Sequence, residues 1–136
     1  MSSGKYLPLV KELFKALKFK FKAKVLSAEE GRVKVEIDVS EELINPFGFL
    51  HGGCTATLVD MVTTAALAAT PRGLRGVSVD LNISYLAAAK LGETIVIDAS
   101  VLRSGKNLAF TRADIFRKSD NALIAVGQHT KAFPAK

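Results

Sequence analysis

From Cys54 to Thr70 almost every side chain is small or apolar, and no other stretch limits the fold as strongly. The run is shorter than the roughly 20 residues that span a bilayer. A helix so apolar around its circumference must therefore be wrapped by the rest of the chain. Pro46 and Gly48 break the chain before it, Gly52 and Gly53 leave the backbone bare at its start, and Thr70, Pro71, Arg72 and Gly73 end it.

One carboxylate, Asp60, interrupts the run. Taking an ionised carboxylate out of water costs several kcal/mol unless something compensates, and no basic residue lies nearby in sequence. Asp60 is therefore expected to be a general base or nucleophile with a raised pKa. The alternative is a structural carboxylate that caps or pairs across an interface. The helix start adds a second chemical element, because its first N–H groups have no intrahelical acceptor and carry the positive end of the dipole. The Gly52 or Gly53 N–H can polarise a carbonyl there and hold a developing oxyanion. Paired glycines also serve as a plain loop-to-helix junction.

Gly52 and Asp60 are eight residues apart, roughly 12 Å along one helix axis at 1.5 Å per residue. They cannot grip one atom together. Two copies of the helix packed in opposite directions would bring Asp60 of one chain to the glycine end of the other, so the spacing predicts a homodimer with composite sites.

At 136 residues and 49% hydrophobic content the chain suffices for one domain with a real core. Its single cysteine, Cys54, can form no intrachain disulfide, which favours a reducing compartment; within the apolar helix it reads as packing rather than as a nucleophile. His51, His129 and one Cys make no convincing metal set, and nothing calls for a redox cofactor. The net charge of +6 is local: residues 1 to 24 carry seven lysines against one acid, Glu12, and the remainder carries twelve basic and twelve acidic residues. A nucleic-acid binder is thereby disfavoured.

Residues 1–22 read as a basic amphipathic arm preceding a domain over 23–136. Tyr6, Leu9, Val10, Leu13, Phe14 and Leu17 fall at helical spacing, with Lys5, Lys11, Lys15 and Lys18 opposite. That face must bury on the protein's own assembly, on a membrane surface or on a partner protein. As a mitochondrial import signal the arm is atypical, because it uses only Lys and shows no evident cleavage site. With no secretory apolar region, the expected location is intracellular, in the cytoplasm, the mitochondrion or both.

After the arm the pattern alternates. A strand from Val25, a Glu29-Glu30-Gly31 turn, and Val33, Val35, Ile37 and Val39 on one face predict a half-buried hairpin. Beyond the helix the chain reads as a β-meander: Val77 to Tyr85, Thr94 to Arg103, Leu108 to Arg117 and Ala122 to Ala132, with turns at 104–107 and 118–121. The first of these has an apolar face and a continuous polar one, Ser78, Asp80, Asn82 and Ser84. The fold class is α+β, a curved antiparallel sheet around one long apolar helix with an extra N-terminal helix. One helix covers one face of such a sheet, so its other face or edges meet solvent or another subunit.

Asn45, Gly48, His51, Gly52, Gly53 and Asp60, followed by Gly76-Val77-Ser78-Val79-Asp80-Leu81-Asn82-Ile83, resemble the hotdog-fold acyl-CoA thioesterases. The similarity spans about residues 24 to 133, including Ala89-Lys90-Leu91-Gly92-Glu93, Gly105-Lys106 and His129-Thr130-Lys131. It implies hydrolysis of medium- or long-chain fatty acyl-CoA to fatty acid and CoA, at sites shared across a homodimer, with dimers pairing into homotetramers. It also implies residue roles: Gly52 N–H on the thioester carbonyl, Asn45 and His51 shaping that loop, Asp60 activating water or attacking directly, and Ser78 positioning the water. CoA would lie against Asp80, Tyr85, Lys90 and the turn Arg103, Ser104, Gly105, Lys106, Asn107 and Leu108. Ala87, Ala88 and Ala89 depart from the more polar stretch of relatives, and His129, in a strand, reads as structural. Two rival readings are a hotdog enoyl-CoA hydratase or dehydratase using His51 with Asp60, and a non-catalytic acyl-CoA or lipid-binding module.

Overall fold

The computed structural model describes residues 4–16 and 21–135. In chain order the elements are α1 (Leu7–Ala16), β1 (Lys24–Glu29), β2 (Arg32–Asp38), a 3-10 turn (Glu41–Leu43), α2 (Gly52–Ala68), β3 (Val77–Tyr85), β4 (Thr94–Ser104), β5 (Leu108–Arg117) and β6 (Leu123–Ala132). The strands form one antiparallel sheet in the order β1-β2-β4-β5-β6-β3, with α2 lying against it.

Alternation builds the inner face. Val33, Val35 and Ile37 of β2 pair beside Ala99, Ile97 and Ile95 of β4, and all six are buried. Ala113 and Ile115 of β5 extend that surface, and Leu58, Val59, Val62, Ala65 and Ala66 of α2 close over it. The outer face is charged and wet, carrying the ion pairs Arg32–Asp98 at 2.8 Å and Lys118–Glu36 at 2.6 Å.

The expected meander is only partly formed. Strands β4, β5 and β6 follow one another, but β3 pairs with β6 at the far edge, while β4 joins β2. The connection from β3 to β4 makes this crossing under its own hydrogen bonds. Leu86 and Ala87 N–H donate to Ile124 of β6, Leu91 N–H to Gly48, and Gly92 N–H to Val39 beside β2. A link that satisfies its backbone groups along the way need not be a tight hairpin. The apolar face expected for β3 is consequently uncovered: Val77 is 53% and Val79 59% exposed.

Helix α1 docks on its own chain, against β1 and α2. Tyr6 and Val10 are buried and Leu13 and Phe14 half-buried, whereas Leu9, expected on the same face, is exposed. Lys5, Lys11 and Lys15 face solvent. Leu17 and Lys18 lie outside the described residues. Among the described residues no helix is long and apolar enough to cross a membrane.

Helix α2 packs tightly on the sheet at Gly127 of β6, where a Cβ would sit 2.6 Å from Val59 Cγ1 and 3.0 Å from Ile83 Cδ1. Gly127→Ala is expected to cost about 2–3 kcal/mol through overpacking, lowering the melting temperature by about 5–10 °C. Thermal denaturation of Gly127→Ala, Val59→Ala and the double variant checks this. Trimming Val59 removes the obstructing methyls, so Gly127→Ala should cost less in that background, and strictly additive losses would refute the clash.

Candidate active site

Helix α2 is not apolar all round. Thr57, Asp60 and Thr64, spaced three and four residues apart, form a partly open stripe along it. The stripe faces a cavity of about 560 Å³, within the usual size range of small-ligand sites. Asp60 and Ser78 both line it, with Leu13, Phe14, Met61 and Lys131. The Asp60 side chain is 49% exposed, so the deep burial expected for it is absent. The missing positive partner is also present, supplied by β6: Lys131 is held near Asp60 through Thr64, and the His129 ring lies beside them with Nδ1 3.8 Å from Asp60 Oδ1.

Strand β6 brings these groups in by alternation. Ala125, Gly127, His129 and Lys131 share its buried face, running from the tight approach at Gly127 to the polar end beside Asp60. His129 is fully buried, with Nδ1 2.9 Å from Thr63 Oγ1 and Nε2 2.7 Å from Ser78 Oγ. The Thr63 hydroxyl donates to the Val59 carbonyl at 2.7 Å, so its oxygen accepts from His129 Nδ1–H. That tautomer leaves Nε2 to accept from the Ser78 hydroxyl. Ser78 is thus a donor to His129, with its oxygen lone pairs left for the cavity. Reading His129 as structural missed this link. Its position two residues from Gly127 on the inward face was the available signal.

Burial, reinforced by the Lys131 ammonium, pushes the His129 pKa below its ordinary value against the opposing pull of Asp60 and Asp80. Burial likewise pushes the Lys131 ammonium down, opposed by Asp60. Unfolded His129 takes a proton near pH 6.5, while the folded imidazole stays neutral to lower pH. The unfolded state then binds more protons, so this stability contribution is present above about pH 6.5 and lost as pH falls below it. Denaturant midpoints measured from pH 8 to 5 should fall on this limb, and His129→Asn should flatten it; an unchanged slope in the variant would contradict the assignment.

The other half of the site lies at the start of α2. Asn45 Oδ1 accepts from the N–H groups of Phe47 and Phe49, curling the loop that leads in. His51 is the N-cap: its Nδ1 accepts from Gly53 N–H at 2.9 Å, which places the neutral ring's proton on Nε2. Gly53 N–H is therefore spent on the cap. Among the described residues nothing accepts from Gly52 N–H, and Tyr85 Oη donates to the Gly52 carbonyl at 2.8 Å, holding that peptide in place. The Cys54 thiol is pushed up by burial, away from nucleophilic use.

The remaining candidates divide between the two ends of the sheet. Tyr85 and Lys90 lie near Gly52, since Lys90 bridges to Phe49 of the entry loop. The Arg103 to Leu108 turn lies at the other end, where Leu108 and Val77 both pair with Ala132. Arg72 clamps that turn through the carbonyls of Gly105 and Lys106 and stacks on Phe133 at 4.4 Å. Strand β4 separates the two groups by roughly 33 Å. Within one chain they do not make one CoA site. Asp80, on β3, is exposed between them.

A single helix across a six-stranded antiparallel sheet, with a carboxylate at mid-helix and a bare glycine at its start, defines the hotdog class. The sequence model of the Thioesterase superfamily matches residues 47–124, and the chain belongs to that family. It is 52% identical over 126 residues to human acyl-coenzyme A thioesterase 13, covering 90% of each chain. The crystal structure of zebra fish thioesterase superfamily member 2 superposes with a TM-score of 0.88 at 43% identity, covering 98% of this chain and 99% of that one. A hypothetical thioesterase protein from Streptococcus pneumoniae, solved with coenzyme A, shares the fold at 23% identity and a TM-score of 0.84, covering 93% of this chain and 98% of that one.

Proposed function

We propose that the protein hydrolyses medium- and long-chain fatty acyl-CoA thioesters at sites shared between two copies of the chain. The observation that carries this is the uncovered edge strand β3 with one half-site at each end: Ser78 beside His129 and Asp60, and Tyr85 on Gly52. An exposed apolar edge calls for a strand partner. Antiparallel pairing of two β3 strands about the point between Leu81 and Asn82 sets Ser78 opposite Tyr85 of the second copy. Asp60 of one chain then approaches Gly52 of the other, and Lys90 of one the Arg103 to Leu108 turn of the other. The human relative's name supports the substrate class.

In this reading Gly52 N–H takes the thioester oxygen, and the helix dipole favours its growing negative charge. A water donates one hydrogen bond to Asp60 and one to Ser78 Oγ, whose own proton is committed to His129. Its oxygen attacks the carbonyl carbon while Asp60 takes the proton. The carbon–sulfur bond then breaks, and Asp60 returns the proton to the CoA thiolate. Asn45 and His51 aim the Gly52 peptide without touching the reacting atoms. Arg103 and Lys106 from one chain, with Lys90 from the other, are placed to meet the CoA phosphates. Dimers pair into tetramers, and the protein works in intracellular fatty acid metabolism, in cytoplasm or mitochondrion.

Free-thiol release from a panel of saturated acyl-CoAs, run beside enoyl-CoA hydration and sedimentation, tests the proposal. Thiol release by a dimer or its multiple is the expected result. Hydration without thiol release would move the assignment to a hydratase, tight binding without turnover to a binding module, and an active monomer would remove the shared site.

A further inference from the structure

The cavity at Asp60 has one wall that comes from neither the sheet nor α2. Leu13 and Phe14 of α1 line it together with Met61, Ala65 and Val77, an apolar group continuous with the polar stripe of Asp60 and Thr64. Phe14 also faces a second groove of about 470 Å³ between α1 and β1, bordered by Lys11, Lys15, Lys22 and Lys24. One aromatic ring thus stands between two spaces. It is held there by the docking of α1, with Val10 fully buried and the Tyr6 hydroxyl 3.4 Å from Glu30 Oε1. All of α1 lies outside residues 47–124, the part of the chain matched by the family.

We infer that α1 closes the far end of the acyl chamber, and that Leu13 and Phe14 set the longest acyl chain accepted. The inference rests on the acyl-CoA reading above. A thioester whose carbonyl is held for attack beside Asp60 and Ser78 has the apolar part of the same cavity open to its alkyl chain. There the chain meets the two α1 side chains. Leu13 and Phe14 act on specificity through the room they leave, not on the reacting atoms.

Each methylene newly buried is worth about fourfold in kcat/KM. Phe14→Ala joins the two spaces, so the ratio of long-chain to short-chain kcat/KM should rise at least about tenfold once two or more methylenes gain cover. Leu13→Phe should shift the optimum the other way, toward shorter chains. Leu9→Ala lies on α1 but not on the cavity and controls for loosening of the helix; its profile should follow wild type. Phe14→Leu provides a milder change in the same direction should the alanine variant misfold. The readout is kcat/KM by thiol release across even-numbered saturated acyl-CoAs, with chain-length-dependent binding to Asp60→Asn measured in parallel by calorimetry. Profiles of the α1 variants that run parallel to wild type would overturn the inference while leaving the thioesterase reading standing. A wild type that releases no thiol from any member would overturn both.

Discussion

Asp60→Asn should lower thiol release from acyl-CoA at least about a hundredfold, the usual size of a general acid–base contribution, with fold and assembly intact. The substitution keeps side-chain shape and removes only the basicity. Asp60 is half-exposed, so no deeply buried charge pair is broken and stability should move little. Thr64 Oγ1 reaches Asp60 Oδ1 at 3.4 Å, a contact the asparagine oxygen can keep. The measurement is kcat and KM at matched folding and sedimentation, with acyl-CoA affinity taken independently. A kcat within about tenfold of wild type would remove Asp60 from the proton transfer.

Gly52→Pro should be as damaging, by a different route. Gly52 is the first residue of α2, and proline is well accepted there because that N–H has no helical acceptor. His51 is extended, at φ −62° and ψ 136°, as a residue before proline must be. A Cβ at position 52 meets the Tyr85 hydroxyl at 3.4 Å, an ordinary contact. The variant therefore deletes the proposed oxyanion donor and leaves the helix standing. Loss of one such donor typically costs a hundred- to a thousandfold in kcat. Co-refolding Gly52→Pro with Asp60→Asn chains gives a sharper test. Each mixed dimer rebuilds one site from the unaltered Asp60 of one chain and the unaltered Gly52 of the other. Activity should return to about a quarter of wild type after statistical mixing of two-fold dimers. No recovery in a mixture shown to contain mixed dimers would place both groups in the same chain's site.

Local features were readable wherever chemistry acts over a few residues. The alternation Val33, Val35, Ile37, the turns at Gly31 and 104–107, the apolar helix and its glycine start all follow from side-chain period and backbone freedom. The split between Gly52 and Asp60 followed from helical rise alone. The helical face of α1 was legible too, apart from Leu9, because burial there depends on how the helix rolls onto β1.

What escaped was long-range. Asp60 meets His129 and, through Thr64, Lys131, groups about seventy residues further on, because β6 pairs with both β5 and β3 and turns those side chains toward α2. No local pattern encodes that register. For the same reason β3 read as the first strand of a meander, although the hydrogen-bonded crossing at 86–92 carries the chain from one side of the sheet to the other. The sequence by itself determined that a nearly all-apolar helix with one carboxylate must be wrapped by alternating strands. Only the tertiary structure decided which strand lies at the edge, which histidine orients Ser78 beside Asp60, and that α1 walls the cavity. Those choices depend on contacts between segments far apart in the chain, whose energies exist only once the sheet has closed around the helix.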